Sequence, residues 1–269
     1  ILLNKTSLTK SLRHFSDIGF VPTMGSIHKG HLSLISKSNQ ICQKTIVSIF
    51  VNPKQFNSIN DFKTYPKNIK KDLKVLSQTK KVDFVYIPKF KDIFKNNMKP
   101  KIKLNKKDKI LCAKYRKGHF EGVLDVMDKL TIIVKPTKIF MGNKDFQQMF
   151  LVKNYLKNKY NTDVVECKTI RDKNRVALSS RNNLLSKRNI KLAGKIVRKL
   201  ISLKKNIKIK KNKNKYLLTV KDDFQRKFKI KIEYLELRDI NNLKLSNTIK
   251  TSKLFVAYYL NGIRLIDNL

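Results

Sequence analysis

Apolar positions along this chain follow two periods, and the switching between them sets out most of the architecture. Residues 44–51 (KTIVSIFV) form a near-continuous apolar run, the pattern of a strand buried on both faces of a parallel sheet. Shorter runs at 18–22, 82–87 (VDFVYI), 138–141 and 163–168 share this β-rich character. Between them, 30–39, 69–78, 122–134 and 146–158 carry apolar residues at helical spacing, Leu32 and Ile35 among them. Strand–helix–strand order repeated in this way predicts an α/β fold with a doubly wound, Rossmann-like parallel sheet. Ligands of such sheets sit outside the carboxyl ends of the strands, so chemistry is expected in the loops that follow them.

The pattern changes after about Thr169. Helical runs at 186–203 and 216–227 flank a Lys/Asn-rich stretch. Three β-like runs close the chain: 232–238, a weaker one near Leu243, and 254–260. No long crossover helix separates these last runs, which predicts antiparallel pairing. The expectation is two domains: 1–169 with the parallel sheet, and 170–269 as a smaller C-terminal α+β domain, a lid.

Composition adds limits. With 269 residues, 41% of them hydrophobic, the chain can bury a substantial core. It contains no uninterrupted apolar run of about 18 residues, so no membrane span is predicted. The N-terminal Ile1-Leu2-Leu3 run is too short for the apolar region of a signal peptide. Cys42, Cys112 and Cys167 are odd in number and far apart, a pattern that fits neither a disulfide framework nor a metal clip and points to a reducing cytoplasm.

The formal charge of +42 invites a reading as a nucleic-acid-binding protein. That reading calls for clustered arginines and an aromatic stacking platform, and neither is evident. Only ten of the 61 cations are arginine, and the lysines are spread along the chain. The densest run, 204–215, is rich in Lys, Asn and Ile and reads as biased composition. A positive field would still gather an anionic substrate.

The loop after the first strand is Pro22-Thr23-Met24-Gly25-Ser26-Ile27-His28-Lys29-Gly30-His31, and a helix follows. Gly25 and Gly30 let the backbone come close to a bulky ligand. The helix start offers N–H groups and a positive dipole end, which suit phosphate. His28 and His31, three apart, could face one bound group. Two readings of the pair stand at this point, nucleotide phosphates and a metal. Zinc needs three or four ligands, and His14 and His119 show no matching spacing.

Val21-Pro22-Thr23-Met24-Gly25 followed by His28-Lys29-Gly30-His31 resembles the signature of the pantothenate synthetase family, within the HIGH nucleotidyltransferase superfamily. Further blocks are similar in the same order. They are 48–56 with Asp61-Phe62 and Tyr65-Pro66, then 118–123, 142–148, 178–182 and 261–268. Six blocks in order across nearly the whole chain make a specific resemblance.

The resemblance implies an ATP-dependent ligase that joins (R)-pantoate to β-alanine through a pantoyl-adenylate, with Mg²⁺, releasing AMP and pyrophosphate. It implies a cytoplasmic homodimer with no specific nucleic-acid partner. By match to the family motifs, Met24, Gly25, Ser26, Ile27, His28, Lys29, Gly30 and His31 line the ATP site in the first domain. Gly142, Asn143, Lys144 and Asp145 join them, as do Ile170, Leu178, Ser179, Ser180 and Arg181. His28, His31, Lys144 and Arg181 are the implied catalytic group, with His31 as the family's assigned proton donor. Lys144 is implied to hold phosphate oxygens, Asp145 the ribose hydroxyls, and Ile170 to lie beside adenine. The segment 179–181 resembles the superfamily's mobile phosphate loop. Gln55 and Gln148 match the pantoate positions with Asn52 supporting them, and Gln55 is also implied for β-alanine. No Mg²⁺ ligands are identified. His119 is either a residue behind the site or a core histidine.

Departures from the family pattern are Asn143 for an acidic residue, Met141 for an aromatic and Lys117 for a proline. Asn174-Arg175 replaces a turn usually ending in glycine, and Asp125 stands where threonine is usual. The nearest rival is another adenylyl-transferring member of the superfamily, such as a reduced aminoacyl-tRNA synthetase. Against it, the chain has no room for an anticodon domain, and Ser179-Ser180-Arg181 is not the lysine-rich form of that loop.

Overall fold

The computed structural model describes residues 1–2, 4–95, 99 and 101–269; Leu3, in the N-terminal apolar run, lies outside the described residues. Two compact units divide the chain, Ile1–Lys168 and Thr169–Leu269.

In the first unit, β1 (Ile18–Thr23), β2 (Lys44–Ile49), β3 (Phe84–Tyr86), β4 (Lys138–Gly142) and β5 (Asp163–Cys167) form one parallel sheet in the order β3-β2-β1-β4-β5. The order reverses between β1 and β4, and that reversal opens the sheet. Register between β1 and β2 runs from Ile18↔Lys44 to Thr23↔Ile49, whereas β1 and β4 pair only at Gly19↔Lys138 and Phe20↔Ile139. Beyond Phe20 and Ile139 the two strands part, leaving a crevice at their carboxyl ends, where doubly wound sheets bind ligands.

The helices of this unit are α1 (Lys5–Leu12), α2 (Lys29–Ile41), α3 (Ile59–Lys63), α4 (Ile69–Gln78), α5 (Phe90–Phe94), α6 (Cys112–Tyr115), α7 (His119–Val134) and α8 (Phe146–Lys157). Leu34 and Ile35 of α2, Leu76 of α4 and Val21, Val47 and Phe140 of the strands share one buried cluster. Each such side chain contributes about 1.5–3 kcal/mol relative to exposure, so this cluster fixes the strand ends from which the loops depart. The sequence predicts α4 at the bounds observed, and the structure fixes its start at Asn68, whose Oδ1 accepts from the Lys71 amide at 2.9 Å. Helix α7 begins three residues before its predicted start. Gly118, at φ 81°, turns the chain into it, and His119 and Phe120 are already buried.

In the second unit, α9 (Lys187–Asn206) and α10 (Lys213–Phe228) accompany an antiparallel sheet of β6 (Lys231–Asp239), β7 (Ser252–Leu260) and β8 (Ile263–Asn268). Its core takes Ala193, Ile196 and Leu200 from α9, Leu217 from α10, and Leu235 and Val256 from the sheet. The weak strand expected near Leu243 is not a sheet member. Leu243 sits at φ 57° in a turn, and only an isolated bridge between Arg238 and Leu245 marks the segment. The third strand is β8, which closes a hairpin with β7 through Asn261 (φ 48°) and Gly262 (φ 73°). An Asn-Gly pair between apolar runs is a strong hairpin signal, and this one was available in the sequence. Among the described residues, no helix is long and apolar enough to cross a membrane.

Candidate active site

The loop after β1 is held by side chains placed far from it in sequence. Thr23 Oγ1 donates to the Ser48 carbonyl at 2.7 Å and accepts from the Gly25 amide at 3.1 Å. Asp72, buried in the first turn of α4, accepts from the Ser26 and Ile27 amides at 2.9 and 2.8 Å. Gly25 is required here twice over: its φ is 80°, and a Cβ would lie 2.8 Å from the Asp72 carboxylate.

The two histidines form the start of α2. His28 is its N-cap, and its Nδ1 accepts from the Gly30 amide at 3.1 Å, while His31 Nδ1 accepts from the His28 amide at 3.3 Å. Their rings stack with centroids 4.0 Å apart. A ring nitrogen that accepts a backbone N–H carries no proton, so each neutral imidazole holds its proton on Nε2. Burial pushes His28 down to about 4, helped by the Lys144 ammonium. Burial likewise pushes His31 down to about 3, with His28 and Lys144 adding to the effect.

The expectation of a phosphate cradle made of loop amides is altered by this geometry. The amides of Gly25, Ser26, Ile27, His28 and Gly30 are bonded within the protein. The loop therefore offers two neutral Nε2–H imidazoles in place of the bare backbone.

Lys144 enters from across the crevice, in the 3-10 turn Asn143–Asp145 that follows β4. Its ammonium lies 3.4 Å from Asp145 Oδ1 and is largely shielded from solvent. The next helix, α8, carries Gln147 and Gln148 in its first turn. Gln147 is structural, since it accepts from the Cys112 amide at 3.0 Å and donates to the Asp108 and Ile110 carbonyls at 3.3 and 2.8 Å. Gln148, its neighbour, is half-buried.

Gln55 closes the 3-10 turn Pro53–Gln55 after β2. Asn52 caps that turn, its Oδ1 accepting from the Lys54 amide at 3.2 Å. The Asn52 Nδ2 donates to Gln55 Oε1 at 3.2 Å and to the Gly122 carbonyl at 3.0 Å. Gln55 Nε2 then lies 3.0 Å from Met24 Sδ, which ties the second loop to the first. Behind it, the buried His119 places Nδ1 2.7 Å from the Gln55 carbonyl, and Arg116 reaches His119 Nε2 at 3.0 Å. His119 thus backs the site through the Gln55 main chain. The first unit accordingly brings Met24, His28, His31, Gln55 and Lys144 to one edge of its sheet.

The remaining expected residues belong to the second unit. The Leu178 amide donates to the Ile170 carbonyl at 2.9 Å, across a hairpin in which Arg171 bridges Ala177. Ser179 caps the 3-10 turn Ser180–Leu184, its Oγ accepting from the Arg181 amide at 3.3 Å. The guanidinium of Arg171 grips Asp267 of β8 with two bonds, at 2.7 and 2.8 Å, which anchors this hairpin to the sheet. Where the family usually has glycine, Arg175 takes φ 69°, a conformation natural to glycine, so the replacement leaves that backbone conformation in place.

Sequence reading passed over Asp72 and Lys54, and took Asp125 only as a departure from the family pattern. Each acts through a partner at least 45 positions away, and no local spacing signals that. Among the described residues no group of three or more His, Cys, Asp or Glu side chains could hold a metal ion.

The comparisons with known proteins decide the family. The chain matches the pantoate-beta-alanine ligase family over residues 3–269. It belongs to that family. A pantothenate synthetase of Flavobacterium psychrophilum is 38% identical over 270 residues, covering 98% of this chain and 95% of that protein. The crystal structure of pantothenate synthetase from Thermus thermophilus superposes with a TM-score of 0.91 at 28% identity, covering 100% of this chain and 98% of the other. A Francisella tularensis pantoate-beta-alanine ligase, solved with beta-gamma ATP and beta-alanine, superposes at 0.85 with 34% identity, covering 100% of this chain and 97% of that one. This family member is an enzyme that ligates pantoate and β-alanine, with ATP as co-substrate.

Proposed function

We propose that the ligation runs through a pantoyl-adenylate built at the β1–β4 crevice. A pantoate carboxylate oxygen bonds to the α-phosphorus of ATP, and the bond from that phosphorus to the bridging oxygen breaks, releasing pyrophosphate. The β-alanine amine then bonds to the acyl carbon, AMP leaves with the former carboxylate oxygen, and the amine sheds a proton. The difficulty in the first step is negative charge collecting on the α-phosphate and on departing pyrophosphate.

The observation that carries this reading is the neutral histidine pair beside Lys144. Two Nε2–H donors stacked at a helix start, with an ammonium close by, form a preorganised set for phosphate oxygens. His31 acts from this set as hydrogen-bond donor to the reacting phosphates. Lys144 supplies a point charge, and Asp145 accepts from the ribose hydroxyls. The remaining residues of the Met24–His31 and Gly142–Asp145 segments complete the ATP walls of the first unit, while Ile170, Leu178, Ser179, Ser180 and Arg181 serve the nucleotide from the second. Gln55 and Gln148 hold pantoate by amides, which donate and accept without adding charge beside a carboxylate. Gln55 also meets β-alanine.

The two units then correspond to a nucleotide- and pantoate-binding domain and a smaller C-terminal α+β domain. Mg²⁺ enters with ATP as part of the substrate, carried on phosphate oxygens and water, since no resident carboxylate cage is found among the described residues. The working form is a cytoplasmic homodimer, the compartment suited to three cysteines outside any disulfide and the oligomer implied by the family resemblance.

Exchange of labelled pyrophosphate into ATP tests the intermediate. Exchange that needs pantoate but not β-alanine is expected, together with AMP release only when all three substrates are present. Loss of both in His31→Ala is expected as well. Exchange absent without β-alanine would rule out a free-standing adenylate, and activity that survives His31→Ala would remove the histidine from its role.

A further inference from the structure

Directly before Gln55 stands a charge that the sheet edge has no need of. Lys54 lies in the 3-10 turn, and its ammonium is 2.8 Å from Asp125 of α7, with both side chains only 1% exposed. The same nitrogen donates to the Lys99 carbonyl at 3.1 Å and sits 3.9 Å from the centre of the Phe94 ring. All three directions of the ammonium are therefore taken by a carboxylate, a carbonyl and an aromatic face. The turn itself is pressed on α7 without a gap. A Cβ at Gly122 would come within 2.2 Å of the Lys54 carbonyl oxygen, and Asn52 donates to the Gly122 carbonyl at 3.0 Å.

Burying two opposite charges seldom stabilises a protein more than an apolar pair of the same volume would, because each loses its water. The gain is in direction. An apolar side chain at 54 could slide along α7, whereas an ammonium with three fixed partners can occupy one place. The peptide that follows it carries the Gln55 side chain, whose carboxamide is oriented by Asn52 on one side and Met24 on the other.

From this geometry we infer that Lys54 and Asp125 are positioning residues for pantoate: a buried ion pair that fixes the Pro53–Gln55 turn on α7 and so sets the aim of the Gln55 carboxamide. The inference rests on the reading of Gln55 as a pantoate ligand. It accounts for an aspartate where the family commonly has threonine, since the carboxylate answers a lysine in the facing turn.

Steady-state kinetics on four variants test it. Asp125→Asn and Lys54→Met each break the pair and leave its partner buried without counter-charge. The KM for pantoate is expected to rise at least about tenfold in each, within the range that small misplacements of binding groups produce, while the KM for ATP stays within about twofold. The double variant Lys54→Met/Asp125→Thr removes both charges together, and recovery of the pantoate KM to within about threefold of the parent is expected, as for residues that act as a unit. Gln55→Ala is the control for the underlying reading. If Gln55→Ala leaves the pantoate KM unchanged, the assignment of Gln55 falls. If Gln55→Ala raises it while both single-charge variants leave it within twofold, the positioning role falls. It falls equally if the KM values for pantoate and ATP rise together, or if the double variant is no better than the singles. Should one single variant fail to fold, the other single and the double variant give the same decision.

Discussion

Asp72 Oδ1 accepts a hydrogen bond from the Ile27 amide at 2.8 Å, joining the first turn of α4 to the loop that precedes the histidine pair. The other carboxylate oxygen takes the Ser26 amide at 2.9 Å, so one buried side chain satisfies two consecutive donors. The loop needs this support because Gly25 and Ser26 both have positive φ, at 80° and 54°. Asp72→Asn keeps the shape but replaces one acceptor with an NH₂ group that faces an amide. A loss of about 1–3 kcal/mol is expected from the unmet buried donor. Part of it should be read as weaker ATP use, with kcat/KM for ATP down about tenfold. An unchanged ATP dependence would mean that the loop holds its form without the clamp.

The histidine pair makes a pH prediction with a definite sign. His28 and His31 are held at about 4 and about 3 against an ordinary 6.5. As pH falls through about 6.5 the unfolded chain takes up protons that the folded one refuses. Stability therefore declines from pH 6.5 downward, until the folded rings protonate near 4 and 3. Nitrogen chemical shifts of the ligand-free protein should keep both rings neutral at about pH 5.5, with the proton on Nε2. Added ATP should move both titrations upward, because phosphate favours the imidazolium. Rings that titrate near 6.5 without ATP would contradict the buried, stacked arrangement.

A second pH effect comes from the opposite side of the same unit. Asp128 of α7 receives Lys159 Nζ at 2.6 Å, Tyr160 OH at 2.7 Å and Tyr155 OH at 2.9 Å. Burial alone would raise this carboxyl, but the ammonium and the two phenols outweigh it and hold it below its ordinary value. A carboxyl lowered on folding contributes stability that is complete above the unfolded value near 3.8 and is lost as pH falls through the folded one. Asp128→Ala removes the shared acceptor of the half-exposed Lys159 ammonium and of both hydroxyls at the end of α8. Urea denaturation at about pH 7 should give a loss of about 2–3 kcal/mol, the scale of charge-assisted bonds, with the gap between variant and parent closing in strong acid.

How far this could be read beforehand depended on where each signal lies. Apolar runs gave β1 and β2, and helical spacing gave α4, because those signals sit inside the element they specify. The loop motifs around His28, Lys144 and Gln55 were also readable, since each is a short contiguous block. The clamps behind them were not. Asp72 looks like any acidic residue in a helix start, and Asp125 registers only as a departure from the family's threonine until Lys54 is folded against it. At the C-terminal end the apolar content near Leu243 outweighed its turn chemistry. The Asn261-Gly262 hairpin, seen only as part of a family block, was overlooked as a turn that launches β8.

The lysine-rich composition leaves a mark on the backbone that stability measurements can detect. Lys135 ends α7 at φ 50°, Lys229 ends α10 at φ 51°, and Arg175 turns the hairpin before the Ser179–Arg181 segment at φ 69°. Helix ends and turns of this kind ordinarily use glycine, which has no Cβ to clash with the carbonyl. A residue with a Cβ costs about 1–2 kcal/mol in that conformation, whereas glycine costs about 0.5–1 kcal/mol of extra unfolded-chain freedom. Lys135→Gly, Lys229→Gly and Arg175→Gly should each therefore stabilise by about 0.5–1 kcal/mol on these figures. The three sites are on different elements, so their effects should add. Urea midpoints of the three single variants and the triple variant check this, at constant m-value. Destabilisation at Arg175 alone would indicate that its side chain makes a contribution larger than the strain. Destabilisation at all three would mean that the left-handed conformations cost less here than sterics imply.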